Sequence, residues 1–349
     1  MIGDTQTPDL KLPGSVTRRV VTLSEERLVQ RQYLRSGEFL PLVITPAVSS
    51  VNLIAWARVN THVINKELRR HGAILFRGFM AGGQEDFERF LEAVSLKRMH
   101  YLEGATPRTD LGNQIYTSTE FPPEHSIALH NELSYSQAWP MKISFFCVTP
   151  PEEGGETPIA DMRKVLKRID PKISQKFIER GWMLVRNYGD GLSLSWQSVF
   201  RTTDKAELER YCSESHVLLE WKDEQRIRTR HIRPATAVHP ETGDAVWFNH
   251  IAFWHISSLD PKTRQMLVRD FKEDGVPYNT YYGDGSPIED SVVEELRKAY
   301  DSETIQFKWQ KGDLLFMDNM FVSHGRSPYA GPRRIIVGMG DPFTRTDLN

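Results

Sequence analysis

GDLLFMDNMFVSHGRSPYAGPRRIIVGM, residues 312–339, carries the reading of this chain. An apolar run emerges into a turn, a histidine follows at position 324, and after Ser-Pro and Ala-Gly-Pro a second apolar run returns. Short apolar segments bounded by Gly, Pro, Asn and Asp are the mark of strands rather than of helices. Working outward, the same signature predicts strands at 73–79 (AILFRGF), 142–149, 182–188, 217–222, 226–232 and 245–249. Helical spacing of apolar residues predicts helices over about 50–70 and 84–94, with Ser50 as the first cap and Gly72 as the stop. Further helices are expected near 161–180, 204–215, 260–272 and 287–300, the last two opened by Asp260-Pro261 and Ser286-Pro287. The fold class implied is mainly β with flanking helices: a double-stranded β-helix, or jelly-roll, core with helical insertions. Residues 1–45 are expected to form an extension laid over the core, and 46–349, with no shift of composition inside it, a single domain.

The composition excludes several function classes. Hydrophobic residues make up 39 % and charged residues 26 %, with a formal net charge of −2, which offers no electrostatic case for nucleic acid or for an anionic membrane. No apolar run approaches the roughly 20 residues that span a bilayer. The polar opening MIGDTQTPDLKLPGS lacks the apolar core of a secretory signal, and two cysteines, Cys147 and Cys212, do not make a disulfide framework. A reducing, cytoplasmic setting is expected.

A second stretch, LHNELSYSQAWP (129–140), places His130 and Glu132 one residue apart in an otherwise apolar segment. On an extended chain, period two turns both side chains to one face, as two ligands of one ion require. His239-Pro-Glu241 has the same spacing, but it sits in HPETGD, whose residues announce a turn. His324 is the candidate third ligand. Two imidazoles and a carboxylate form the facial triad of non-haem Fe(II) sites, although zinc hydrolases use the same donors. The co-substrate signal favours iron. Arg333 and Arg334 open the returning strand, where one guanidinium turned inward would suit a bidentate carboxylate. GGETPIADM (154–162) adds two glycines for close backbone approach and Thr157 as a hydroxyl donor. A ligand that chelates iron at one end and holds out a carboxylate at the other is 2-oxoglutarate. No HExxH and no strand–GxGxxG–helix order is present, which argues against a zinc peptidase and a nucleotide fold.

With these motifs in place, the chain resembles the iron- and 2-oxoglutarate-dependent dioxygenases of the taurine dioxygenase/clavaminate synthase superfamily. It is most similar to the syringomycin-type amino-acid hydroxylases of nonribosomal peptide biosynthesis. The resemblance runs from about AILFRGF to the end and rests on LHNELSYS, PPEEGGETPIADMRKV, VRNYGDGLSLSWQ, HPETGDAVWFNH, YYGDGSPI and the 312–334 segment. It implies Fe(II) held by His130, Glu132 and His324, with 2-oxoglutarate and O2 as co-substrates. Thr157 and either Arg333 or Arg334 would hold the distal carboxylate, Arg334 being favoured because it directly precedes the apolar run. It further implies hydroxylation of an unactivated C–H bond in an amino-acid-derived substrate, a small molecule or an aminoacyl group tethered to a carrier protein. Keeping Glu132 argues against halogenation, and the lack of an arginine at Gly338 favours a substrate whose acid is tethered or esterified. Substrate contacts are sought at Tyr116, Ser118, Glu120, Arg186, Asn187 and Asn249. Arg226, Arg228 and Arg230, at period two, suggest a docking face for an acidic carrier. On the same scaffold, desaturation, cyclisation or epimerisation of a free small molecule is the alternative outcome, and a non-catalytic jelly-roll binding module the alternative of another class.

Overall fold

A computed structural model describes residues 28–79, 82–99, 103–104, 108–189 and 191–345. Its largest element is a seven-stranded sheet in the order Val29–Tyr33, Leu42–Pro46, Ala73–Phe76, Leu314–Asp318, Ala138–Thr149, Arg334–Thr344 and Ile115–Thr117. Every neighbouring pair is antiparallel except Leu42–Pro46 with Ala73–Phe76, which run parallel.

The apolar run LLFM, closed by Asp318, lies in the middle of this sheet, buried throughout. Alternation sends Leu314 and Phe316 into one apolar cluster and Leu315 and Met317 into another, so both faces of the strand are covered. A strand with no exposed face has no reason to alternate polar and apolar residues. The first cluster is closed by the helices Leu53–Val59, Thr61–His71 and Gln84–Ala93, through Trp56, Ile64, Leu68, Phe87 and Phe90. Phe316 stands edge-on to Phe90 with ring centroids 5.8 Å apart and is fully buried. Phe316→Ala is therefore expected to cost about 3–5 kcal/mol of stability, read from denaturant unfolding.

Some helices differ from expectation at their ends. The segment 50–70 holds two helices, broken at Asn60, whose side-chain amide bonds back to the Trp56 carbonyl at 2.9 Å. Asn52 rather than Ser50 caps the first helix, and Gly72 ends the second in the left-handed region, as the sequence predicts. The 161–180 segment is likewise two helices, Met162–Arg168 and Pro171–Arg180, each capped by an aspartate. Asp260 caps the helix that starts at Pro261. The helix expected at Pro287 starts instead at Asp290, because Pro287 is taken up in a bridge to Tyr281.

Two of the four smaller sheets among the described residues frame the site. Val217–Trp221, Ile227–Arg233, Trp182–Tyr188 and Tyr278–Tyr282 form an antiparallel four-stranded sheet. Ile127–His130, Val322–Arg326 and Ile159–Asp161 form a three-stranded one, with Val322–Arg326 in the centre. The turn Asp318–Phe321 passes the chain from the large sheet into this one, and Asp318 shapes it by accepting from the N–H groups of Met320 and Phe321. The result is mostly sheet with helices packed against it, and no helix among the described residues is long and apolar enough to cross a membrane.

Candidate metal centre

His324 is the third residue of the central strand of the small sheet, in register with His130 on one side and Ile159 on the other. Directly opposed residues share a face with Cβ atoms about 4.5–5.5 Å apart. The pairing therefore brings the two imidazoles together, with ring centroids 4.5 Å apart.

Glu132 reaches them by a different route from the one expected. The strand ends at His130, and Leu133, at φ 56°, turns the chain. Asn319 holds that turn in place. Its side chain accepts from the Glu132 N–H at 2.8 Å and donates to the carbonyls of Glu132 and Pro140, each at 2.9 Å. Asn131 returns a bond to the Asn319 carbonyl at 2.6 Å. One donor atom from each of His130, Glu132 and His324 then lies within 4.8 Å of the others, the one such group of three among the described residues. Glu132 Oε2 is 3.9 Å from His324 Nε2.

All three side chains are buried. Burial holds the His130 imidazole below its ordinary pKa despite the nearby Glu132 carboxylate. It takes His324 well below, where a proton would also be opposed by one on His130, by the Arg108 guanidinium and by one on His250. Both rings are thus neutral near neutral pH, the form that ligates a metal. His130 Nδ1 lies 2.9 Å from the Ala128 carbonyl, which makes it an N–H donor and leaves Nε2 as the ligand atom. Two neutral imidazoles and a carboxylate fit a ferrous ion by donor chemistry.

A small cavity of ≈ 30 Å³ opens beside the triad, walled by Arg108, Ser118, His130, Thr157, His324 and Arg333 among others. Thr157 is buried and accepts the Trp309 indole N–H at 3.1 Å, so its own O–H is left to donate elsewhere. Of the two tandem arginines it is Arg333, not the favoured Arg334, that lines the cavity; Arg334 is exposed and paired with Thr149. Ile335 and Val337 belong to the cluster on the triad side, and counting back by twos falls on Arg333. Its guanidinium donates to the Gly155 carbonyl at 3.1 Å and to Ser118 Oγ at 3.2 Å, and burial brings its pKa down to about 10. Gly155 has to be glycine: at φ +66°, a Cβ there would stand 3.1 Å from Arg333 Cδ and 2.7 Å from Pro151 Cγ.

Of the residues sought as substrate contacts, the structure brings Ser118 into this cavity and holds the others elsewhere. Tyr116 is a buried strand residue opposite Val337. Glu120 is exposed and accepts the hydroxyls of Thr109 and Thr117, pinning its own loop. Arg186 is buried against Tyr135, Tyr188 and Trp254. Asn187 bonds to the Val276 carbonyl and accepts from Arg228, and Asn249 joins Ala235 to Ile251. Glu120, Asn187 and Asn249 thus satisfy nearby backbone or neighbouring side chains. Gly338 points at Phe87 and Leu91, where a Cβ would stand 2.6 Å from Leu91 Cδ1. It faces the helices, so its lack of a side chain carries no information about the substrate's acid. Of the arginines expected to form a docking face, Arg226 lies just before the strand Ile227–Arg233 and pairs with Asp223 at 2.6 Å, and Arg230 pairs with Glu220 at 3.0 Å, which balances their charge locally.

Three features escaped the sequence reading. His239 does turn the chain, yet it is buried, 3.0 Å from Asp318 Oδ2 and stacked on Phe321, supporting the turn that leads to His324. His250, bonded to Ser134 at 2.6 Å, packs against His130. Arg108 donates to Glu132 itself at 2.7 Å. Its segment is rich in Thr, Gly and Pro without a period, so only the tertiary fold reveals the contact.

Comparison with known proteins agrees with this geometry. The family described as "Taurine catabolism dioxygenase TauD, TfdA family" matches residues 39–339. The dapdiamide synthesis protein DdaC of Enterobacter agglomerans is 38 % identical over 281 residues, covering 80 % of this chain and 85 % of that protein. A clavaminate synthase-like protein of Arabidopsis thaliana is 29 % identical over 339 residues, covering 91 % of this chain and 98 % of that one. Among solved structures, PvcB of Pseudomonas aeruginosa superposes with a TM-score of 0.54 at 16 % identity, covering 92 % of this chain and 93 % of that chain, a likeness of fold.

Proposed function

Since this chain belongs to the TauD/TfdA family of dioxygenases, with Fe(II) as its metal and 2-oxoglutarate and O2 as co-substrates, we propose that it hydroxylates an unactivated C–H bond of an amino-acid-derived substrate in natural-product biosynthesis. The observation that carries this reading is the convergence of His130, Glu132 and His324 within 4.8 Å, beside a cavity that also presents Thr157 and Arg333. We read the seven-stranded and three-stranded sheets as the two faces of a jelly-roll core with the triad at its mouth. His130, Glu132 and His324 would hold the iron, and Thr157 and Arg333 the distal carboxylate of 2-oxoglutarate. Iron bound there supplies the oxidising chemistry that couples decarboxylation of 2-oxoglutarate to attack on the C–H bond. The chain's own contribution is orientation and dryness. Asn319 fixes the turn that bears Glu132, and the Ala128 carbonyl fixes the His130 tautomer. Phe145 and Ile127 keep the cavity wall apolar.

The likeness to a dapdiamide synthesis protein supports an amino-acid-derived substrate. Whether the substrate is delivered free or on a carrier is tested by one screen. Free amino acids and carrier-loaded aminoacyl thioesters are incubated with Fe(II), 2-oxoglutarate and oxygen, and products are weighed by mass spectrometry. The expected result is one class gaining a single oxygen atom with stoichiometric succinate. A loss of two hydrogens instead would assign desaturation or cyclisation, and succinate absent under all conditions would refute the oxygenase.

A further inference from the structure

We propose that Arg108 is a positioning residue of the metal centre, holding the Glu132 carboxylate in the orientation in which it meets iron. The inference rests on the assignment of His130, Glu132 and His324 as the iron site. Arg108 Nη2 donates to Glu132 Oε2 at 2.7 Å, and the two side chains are 4 % and 5 % exposed. The oxygen it grips is the same one that lies 3.9 Å from His324 Nε2, hence the one turned toward the histidines. An ionised carboxylate oxygen has more than one lone pair, so it can accept an N–H and still ligate a metal. Charge-assisted bonds of this kind are strong and directional, which is what an otherwise rotatable glutamate at the end of a turn needs.

The turn that carries Glu132 is also held at a second point. Glu103, fully buried, accepts the Ser136 hydroxyl on its carboxylate. Its backbone carbonyl accepts the Tyr135 O–H at 2.6 Å and Arg186 at 3.3 Å. Just beyond Arg108, the Thr109 N–H donates to Thr117 Oγ1 at 2.9 Å. Residues 132–136 are thus gripped at one end through Arg108 and at the other through Glu103. That arrangement fixes the height and tilt of the carboxylate relative to the two imidazoles, and it gives Arg186 a structural purpose.

Metal affinity tests the sign of the effect. If Arg108 orients Glu132, its loss weakens metal binding, and groups that orient ligands are typically worth about 10- to 100-fold in affinity. If it instead competes with the metal for the oxygen, its loss strengthens binding. Mn(II) is titrated into the full chain, wild type, Arg108→Gln and Arg108→Lys, and free Mn(II) is followed by electron paramagnetic resonance. The expected result is a weakening of about 10- to 100-fold in Arg108→Gln. Arg108→Lys should fall between the two, because it keeps the charge without the planar fork. In parallel, the visible band of the anaerobic Fe(II)·2-oxoglutarate chelate should move in wavelength in the variants at saturating metal. Unchanged or tighter Mn(II) binding in Arg108→Gln would overturn the proposal. Should that variant not fold, Arg108→Lys alone decides: weaker than wild type supports it, and equal affinity overturns it. Wild-type protein that takes up no Mn(II) would remove the metal-centre reading beneath it.

Discussion

Glu132→Ala and His324→Ala each lower oxygen-dependent formation of succinate from 2-oxoglutarate by more than about 100-fold, since residues that merely orient ligands already cost 10- to 100-fold. The two variants should part company in stability. Glu132→Ala removes the carboxylate to which the buried Arg108 is bonded, and breaking a buried ion pair on one side costs about 3–5 kcal/mol. His324→Ala removes a neutral ring and leaves no charge behind, so its unfolding midpoint should fall less. Succinate assays beside denaturant unfolding check both halves. Equal stability of the two variants would mean that the Arg108–Glu132 pair is not maintained in solution.

Arg333 carries the second large effect. A guanidinium in a cavity wall, sealed from water once it meets a carboxylate, loses about 2–5 kcal/mol of binding when truncated. Because 1.4 kcal/mol is tenfold, Arg333→Gln should raise the 2-oxoglutarate concentration needed for half-maximal chelate formation by about 30-fold or more. Arg334→Gln should change it by no more than about twofold, as an exposed substitution away from the cavity. Anaerobic titration of the visible chelate band measures both without knowledge of the substrate. The opposite ranking would return the role to Arg334.

That contrast shows where sequence reasoning holds and where it stops. The run LLFM before Asp318 reads as a strand because nothing polar interrupts it, and a strand it is, buried throughout. Gly72 and Asp260 end and begin helices by local chemistry that needs no tertiary context. The three donor residues are legible as types in order along the chain, and cross-strand register does the rest for His130 and His324. Glu132 was legible as a residue but not as a geometry: the period-two picture assumes a strand that in fact stops at His130, and Asn319, nearly two hundred residues away, does the placing. The polar residues sought in the substrate pocket look alike in sequence whether they face a cavity or cap a backbone group, and Asn187, Asn249 and Glu120 do the latter or pin loops. Arg108 and His250 were beyond reach because no local pattern says which loop residue returns to the centre.

The most direct measurement is an anomalous-scattering crystal structure of the protein with Mn(II) and 2-oxoglutarate grown without oxygen. It should show one metal peak bound by His130, Glu132 and His324, with the far carboxylate of 2-oxoglutarate on Arg333. A peak elsewhere, or those three side chains turned apart around an ordered metal, would contradict the account.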